Sequence, residues 1–234
     1  MLHGFSGSPA SWDGLISDDD VALELVGHGG PLSKSFAWEV ERIAGEIAAR
    51  ATGGVQLVGY SMGARIALGV ACSHRDLIER LILVGVHPGF ADRAARLERE
   101  RADARWCRLL HERGIDAFID AWEALPMWST QSDIDPAARA RQRQIRTSHD
   151  AAGLAHALRV AGLGAMPSLW SRLASIRAPV RLICGQRDDK FRAIAERAAT
   201  QLPHAAIDVV AGAGHNPILE APRAIAAIID DRSN

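Results

Sequence analysis

The stretch LVGYSMGARIAL, residues 57–68, is the most informative part of the chain, because a strand pattern changes there to a helix pattern around a serine. The apolar run before Ser61 predicts a buried strand, and the run after it is compatible with a helix. A Gly-x-Ser-x-Gly frame at such a junction is typical of a sharp turn that exposes a reactive serine. A side chain at Gly59 or Gly63 would collide with the neighbouring backbone. We therefore predict that Ser61 carries chemistry; a serine in an ordinary glycine-rich turn is the alternative.

Length, composition and charge limit the number of domains and the classes of protein to which the chain can belong. Its 234 residues, 48% hydrophobic and 24% charged, are enough for one large domain with a sizeable core. The net charge of −1 lacks the basic field that nucleic-acid binders need. No apolar run has the length of a membrane span and no signal-peptide pattern is visible, so a cytoplasmic location is the default expectation. Three scattered cysteines show no metal-ligand spacing, and we expect neither a metal nor a cofactor.

Short apolar runs alternate with helical patterns along the chain, which predicts an α/β fold with a mostly parallel sheet and flanking helices. The predicted strands cover residues 21–25, 55–59, 80–86, 180–185 and 206–210. Helical spacing of apolar residues follows the first strand at Phe36, Val40, Ile43 and Ile47 and returns near the end at Ile225, Ile228 and Ile229. No strand pattern appears between Phe90 and about Ala174. We expect one domain over residues 1–234, with a helical cap inserted at about 90–174 over the ligand-binding edge.

The partners of a reactive serine should follow in the order serine, acid, histidine. GQRDDKF follows a predicted strand and offers Asp188, with Asp189 as the second choice, and GAGHN follows the next strand and offers His215. Because the carboxyl ends of parallel strands share one edge, these side chains are expected to converge on Ser61. His215 would accept the serine proton, and Asp188 would fix the imidazole tautomer and stabilise the imidazolium.

An anionic intermediate also needs preorganised donors. LHGFSG, residues 2–7, has the His-Gly frame of an oxyanion turn, so the main-chain N–H groups of Phe5 and Met62 are the predicted donors. Two further histidines lie at predicted strand ends. His87, in GVHPGF, and His28, in GHGG, are both interpreted as structural turn residues.

Taken together, seven motifs resemble a known family: LHGFSG, GHGG, LVGYSMGAR, HPG, RAARLERERADARW, GQRDDKF and GAGHN. Their order over nearly the whole chain is similar to that of the 2-succinyl-6-hydroxy-2,4-cyclohexadiene-1-carboxylate synthases, α/β-hydrolase-fold lyases of menaquinone biosynthesis. The combination of GYS-x-G-x-R with G-x-RD-x-KF is far more specific than the serine frame alone, because generic esterases share the triad but lack the arginines.

The resemblance implies proton abstraction beside a ketone and loss of pyruvate, with no covalent acyl-enzyme. Its substrate, 2-succinyl-5-enolpyruvyl-6-hydroxy-3-cyclohexene-1-carboxylate, bears three carboxylates, which arginines bind bidentately. The resemblance places substrate contacts on Tyr60, Arg65, Arg99, Trp122 and Arg146. From the residues alone, the mixed-charge run around Arg99 is typical of a solvated helix face, and Trp122 suits a core equally well.

The implied partner is therefore a small-molecule tricarboxylate, with no nucleic acid and no membrane, and no oligomeric state follows from the residues. Ser61 would act as a base, and the oxyanion turn would hold an enolate. Two alternatives stay open. One is a serine hydrolase of a carboxylated ester or C–C bond, with Ser61 as nucleophile; the other is a non-catalytic ligand receptor on the same fold.

The start of the chain carries a separate expectation. In the family's fold the LHG turn ends a central strand, yet only Met1 and Leu2 precede His3. We expect N-terminal strands to be missing and the functional protein to start upstream. A gap in the sheet would leave buried backbone groups unpaired, at about 1–3 kcal/mol each, and would place Phe5 on a frayed terminus.

Overall fold

The computed structural model describes residues 1–231. Its helices and strands alternate as the sequence predicts, and short 3₁₀ segments lie between them at Pro9–Trp12, Arg75–Leu77, Pro126–Asp133 and Trp170–Ser175. The strands are β1 (Val55–Tyr60), β2 (Ile78–Val84), β3 (Val180–Gly185) and β4 (Ala205–Val210). The helices are α1 (Phe36–Arg50), α2 (Met62–Ser73), α3 (Arg93–Glu123), α4 (Pro136–Thr147), α5 (Ala151–Ala161), α6 (Asp189–Ala199), α7 (Pro217–Glu220) and α8 (Pro222–Asp230).

The four strands form one parallel sheet in the order β1-β2-β3-β4. Alternate residues of a strand face opposite sides of a sheet. On β2, Leu81 and Leu83 pack with α1, α2 and α6, whereas Ile82 and Val84 pack against α7 and α8. The predicted strand 80–86 was placed too late: β2 ends at Val84 because Gly85 turns the chain with φ +60°. The predicted α/β fold, with helices on both faces of the sheet, is confirmed.

The predicted strand at 21–25 is wrong as an element, because only Leu23 makes a bridge, a parallel one to Leu2. Two hydrogen bonds accompany this bridge, from Met1 N to Val21 O at 2.6 Å and from Leu23 N to Met1 O at 3.0 Å. Leu2 nevertheless lies in the sheet: its N–H donates to Val58 O at 2.8 Å, and its carbonyl accepts from Tyr60 N at 3.0 Å. The expectation of a frayed terminus is therefore corrected, since Leu2 is fully buried and is paired on both sides.

Residues 90–174 contain α3, α4 and α5 and no strand. Phe118 and Trp122 of α3 pack with Trp128 and with Leu154 of α5 in a third apolar cluster, separate from the two sheet faces. The helix α3 is broken at Gly114, whose φ of 76° lies outside the helical region. Among the helices of residues 1–231, none has the length and apolarity to cross a bilayer.

Candidate active site

The turn at Ser61 has the geometry expected of a reactive serine. Ser61 has φ 49° and ψ −103°, a strained conformation for a residue with a side chain, and lies between β1 and α2. A Cβ on Gly59 would lie 2.5 Å from Gly63 O, and one on Gly63 would lie 2.2 Å from Leu2 O. Only glycine fits at either position, and the two close approaches hold the serine at the carboxyl edge of the sheet.

Ser61, His215 and Asp188 come together from three strand ends. Ser61 Oγ lies 3.3 Å from His215 Nε2, and His215 Nδ1 lies 2.7 Å from Asp188 Oδ2. A carboxylate only accepts, so Nδ1 carries a hydrogen and Nε2 is free to take the serine proton. Asp189, the second choice for the acid, faces solvent with its side chain 87% exposed and pairs with Arg192. The geometry therefore favours Asp188 as the orienting acid.

Asp188 is fixed by the start of α6. Its Oδ1 accepts from Phe191 N at 3.4 Å as the N-cap of that helix, and its own N–H donates to Gly185 O at 3.1 Å. The chain between β3 and α6 is thus short and closed by its own hydrogen bonds. One carboxylate both caps the helix and holds His215, which limits how far the imidazole can turn.

The predicted oxyanion donors lie at the same cavity. Phe5 and Met62 both line it beside Ser61 and His215. The N–H of Met62 belongs to the first turn of α2, where a helix has no internal acceptor for it. The turn that carries Phe5 is held against α2, because Gly63 N donates to His3 O at 3.0 Å. Two main-chain donors at one serine would stabilise a developing oxyanion, so the role of Phe5 and Met62 stays a prediction.

The cavity above Ser61 encloses about 200 Å³ and carries excess positive charge. Arg65 is 8% exposed; its Nη2 donates to Ala161 O at 3.0 Å, and its Nε has no partner among residues 1–231. Burial, together with the charge of Arg99, lowers the pKa of Arg65 to about 9. Arg99 also lines the cavity and pairs through Nε with Asp103 at 2.7 Å. The buried Asp103 carboxylate therefore faces the guanidinium groups of both Arg65 and Arg99.

Lys190 is a third cation at this cavity, and the sequence reasoning did not single it out. Its side chain is exposed overall, yet partial burial, followed by the charge of Arg99, lowers the pKa of its ammonium. We call Arg65, Arg99 and Lys190 the cationic wall. Repulsion within such a group falls when an anion binds, so the wall favours a ligand with several negative charges.

Comparisons with known proteins identify relatives of this chain. The α/β hydrolase family profile matches residues 1–228. A protein of Bacillus subtilis (strain 168), named provisionally as a 2-succinyl-6-hydroxy-2,4-cyclohexadiene-1-carboxylate synthase, is 35% identical over 98% of this chain and 88% of its own length. The synthase of that name from Salmonella newport (strain SL254) is 32% identical over 96% of this chain and 89% of its own. The solved structure of MenH from S. aureus matches with TM-score 0.93 and 30% identity, over 97% of this chain and 90% of that one.

The chain belongs to the 2-succinyl-6-hydroxy-2,4-cyclohexadiene-1-carboxylate synthase family. The substrate contacts that the resemblance assigns to these synthases fall mostly on one cavity: Tyr60, Arg65, Arg99 and Trp122 line it. Tyr60 is buried with its ring 5.8 Å from the His215 ring, and burial raises the pKa of its hydroxyl. Both interpretations of Trp122 hold, because it lines the cavity and also packs in the apolar cluster of α3 and α5.

Arg146 lies apart from the other residues that the resemblance implies as substrate contacts. It lines a neighbouring cavity of about 390 Å³, which shares Phe5, Tyr60 and Trp128 with the Ser61 cavity. Its Nη1 donates to Glu123 Oε1 at 2.9 Å, and its guanidinium lies 5.1 Å from the centre of the Trp128 ring. A substrate in the Ser61 cavity would meet Arg146 only beyond these shared walls, so its substrate contact stays a prediction.

Two aromatic residues of the Ser61 cavity are also absent from the predicted site. The rings of Phe191 and Trp128 lie 4.3 and 5.6 Å from the His215 ring and line the Ser61 cavity. Lys190 and Phe191 form the KF pair of GQRDDKF, shortly after the predicted acid. That position is the sequence signal that could have identified both residues. Trp128 lies in a 3₁₀ segment without periodicity, so nothing in the sequence oriented it. His87 behaves as the turn residue expected, since its Nδ1 accepts from Gly89 N at 3.0 Å.

Proposed function

We propose that this chain is a carbon–oxygen lyase that eliminates pyruvate from 2-succinyl-5-enolpyruvyl-6-hydroxy-3-cyclohexene-1-carboxylate in menaquinone biosynthesis. The product is 2-succinyl-6-hydroxy-2,4-cyclohexadiene-1-carboxylate. The names of the relatives support the reaction. The observation that carries it is the cationic wall beside the Ser61–His215–Asp188 triad, because a triad alone serves many reactions whereas three cations fit a tricarboxylate.

The reaction begins with a proton transfer. Ser61 Oγ takes the acidic C–H proton next to the succinyl ketone, and its own proton passes to His215 Nε2 across the 3.3 Å contact. Asp188 stabilises the imidazolium that forms through the 2.7 Å contact to Nδ1. Serine is a weak base on its own, so the relay to His215 is what makes the abstraction feasible.

The electron pair of the broken C–H bond moves onto the ketone oxygen, and the Phe5 and Met62 N–H groups stabilise this enolate. The enolate then collapses: the ring gains a C=C bond and the C–O bond to the enolpyruvyl group breaks. The leaving group departs as the enol of pyruvate after it accepts the proton held on His215, and tautomerises to the ketone. No water is consumed and no acyl-enzyme forms.

The cationic wall positions the substrate for this elimination. Arg65 follows Ser61 by one helical turn on α2, so a carboxylate on its guanidinium lies within reach of the serine. Arg99 approaches from α3 and Lys190 from α6, so the charges come from three separate elements. We propose that the helical segment 90–174 serves as the cap that brings Arg99 over the sheet, and that the enzyme acts in the cytoplasm.

Pyruvate release from the enolpyruvyl substrate, coupled to lactate dehydrogenase and NADH oxidation, tests the proposal directly. Arg65→Ala should lower kcat/KM by about 30- to 700-fold, corresponding to about 2–4 kcal/mol for a lost buried charge partner. Arg65→Lys should recover only part, because an ammonium lacks the guanidinium fork. Arg50→Ala, an exposed arginine of α1 that pairs with Glu46, is the control and should leave turnover unchanged.

A neutral p-nitrophenyl ester separates the lyase from the hydrolase alternative. Under the lyase proposal Arg65→Ala leaves any ester turnover nearly unchanged, since a neutral substrate makes no use of the charge. Absence of pyruvate, combined with a rapid burst of p-nitrophenol, would assign Ser61 the role of nucleophile instead. An equal loss on the charged and the neutral substrate would mean that Arg65 supports the fold.

A further inference from the structure

The turn that carries Phe5 contains a residue in an unfavourable conformation. Gly7 N donates to Gly4 O at 3.0 Å and closes a four-residue turn. Of its two central residues only Ser6 has a positive φ, 59°, which is the pattern of a type II turn. Glycine or asparagine is favoured at that position, and a serine persists there only when its surroundings hold it. Something outside the turn must therefore supply that restraint.

His28 restrains this turn through a hydrogen bond to its main chain. Its Nε2 accepts from Ser6 N at 2.9 Å, and its Nδ1 lies 2.8 Å from Val26 O. A carbonyl oxygen can only accept, so Nδ1 carries the hydrogen and Nε2 is unprotonated. The hydrogen bonds thus require a neutral imidazole in one tautomer. A protonated His28 would present a second donor to the Ser6 N–H and lose this contact.

The contact acts on the part of the turn that defines its type. Type I and type II turns differ by a flip of the central peptide, which here joins Phe5 to Ser6. Because the Ser6 N–H belongs to that peptide, its bond to His28 selects one orientation. The Phe5 N–H belongs to the adjoining peptide, and Phe5 lines the Ser61 cavity. Release of Ser6 would therefore let the predicted oxyanion donor turn away from the reacting oxygen.

The surroundings of His28 keep it neutral and fixed. It is buried, with the rings of His3 and His149 each 5.1 Å away. Burial, followed by the charges of His3 and His149, lowers the pKa of His28 well below its usual range. Two acidic side chains contact neighbours of His28 and not His28 itself. Glu24 lies 3.9 Å from His3 Nε2, and Glu39 accepts a hydrogen bond from Val26 N.

We propose that His28 is a positioning residue, which holds the central peptide of the Gly4–Gly7 turn so that the Phe5 N–H faces the developing oxyanion. This inference rests on the proposed function, because it takes Phe5 as an oxyanion donor. It assigns a task to the GHGG motif that the triad and the cationic wall leave unexplained. It also predicts a loss in kcat with little change in KM, since His28 touches neither the substrate cavity nor its cations.

Two amide variants test the acceptor directly. His28→Gln reaches far enough to offer an oxygen to the Ser6 N–H, whereas His28→Asn is one methylene shorter and leaves that N–H without an acceptor. His28→Asn should lower kcat about 10- to 100-fold, less than or equal to the loss of an oxyanion donor. His28→Gln should stay within about threefold of wild type, and KM should change by less than about twofold in both.

His156→Asn is the matched control, because His156 Nε2 contacts Ser33 O at 2.8 Å and, among residues 1–231, His156 makes no direct hydrogen bond to the Gly4–Gly7 turn. Rates are compared per folded enzyme, with folding followed by circular dichroism. Equal kcat values for the Asn and Gln variants, or a loss no larger than that of the control, would overturn the inference.

Turnover of p-nitrophenyl acetate gives a second readout of the turn. If wild type released no pyruvate, the lyase function would fail, while the ester rates would still decide the role of His28.

Discussion

Mild acid should destabilise this protein at a pH above the range in which carboxylates titrate, because several histidines are buried without charge. His3 is fully buried and burial lowers its pKa to about 4; burial, together with Arg65, Lys190 and Arg99, lowers that of His87 to about 4 as well. An unfolded histidine titrates near 6.5. Below that pH the unfolded chain binds protons that the folded chain excludes, so stability is complete above about 6.5 and is lost as the pH falls towards 4.

The size of the loss follows from the two pKa values. With 6.5 unfolded and about 4 folded, each histidine lowers the free energy of unfolding by about 1.4 kcal/mol at pH 5.5 and by about 2 kcal/mol at pH 5. His3 and His87 together therefore remove about 4 kcal/mol at pH 5, and His28 adds to this in the same direction. Domains have about 5–15 kcal/mol of stability in total, so this loss is a large part of the whole.

Urea unfolding between pH 7.5 and pH 5, followed by tryptophan fluorescence, measures the effect. His87→Asn removes one titrating group and keeps an oxygen near the Gly89 N–H that His87 Nδ1 contacts. This variant should lose about 2 kcal/mol less than wild type at pH 5. The control His204→Asn alters an exposed histidine and should follow wild type. A change below about 1 kcal/mol in wild type between pH 7.5 and 5.5 would refute the reasoning.

Three further outcomes are expected. Asp188→Asn should lower kcat as strongly as Ser61→Ala, and the double variant should be no worse than the poorer single one, as rates of pyruvate release will show; additive losses would argue against a shared proton relay. Gly63→Ala should lower the free energy of unfolding in urea by about 1–3 kcal/mol, because its Cβ would overlap Leu2 O; unchanged stability would contradict the close approach. Lys190→Ala should raise KM for the tricarboxylate about two- to fivefold, the modest scale of an exposed ion pair; an unchanged KM would remove Lys190 from the wall.

The parts of the site that follow strand ends could be predicted from the sequence. Ser61, Asp188 and His215 lie in short turns after buried strands, where strand periodicity and glycine spacing fix the position of the side chain. The chain order of the triad then identified the partners. For the same reason β3 was predicted to the residue, since Val180 follows a proline and Gly185 begins the turn to the acid.

The parts contributed by helices could not be predicted in the same way. Arg99 lies in a run of charges whose solvent-facing and cavity-facing members look alike in sequence, and only the packing of α3 against α5 orients it. Arg146 is a residue type that suits contact with a substrate carboxylate. The structure instead pairs it with Glu123 of α3, outside the Ser61 cavity. The segment 21–25 has a strand pattern, but a strand requires pairing over several residues, and within this segment only Leu23 makes a bridge, to Leu2.

The sheet order has a consequence for how the enzyme folds. β2 and β3 are neighbours, although residues 85–179 separate them in the chain. Closing a loop of that length costs about 4 kcal/mol of chain entropy before the pairing is formed. We therefore expect β1–α2–β2 and β3–α6–β4 to form early as two local units and to dock late. Ser61 belongs to the first unit and Asp188 to the second, so catalytic competence should appear after most of the helical signal during refolding from urea. Simultaneous recovery of pyruvate release and circular dichroism would show instead that both halves form in one step.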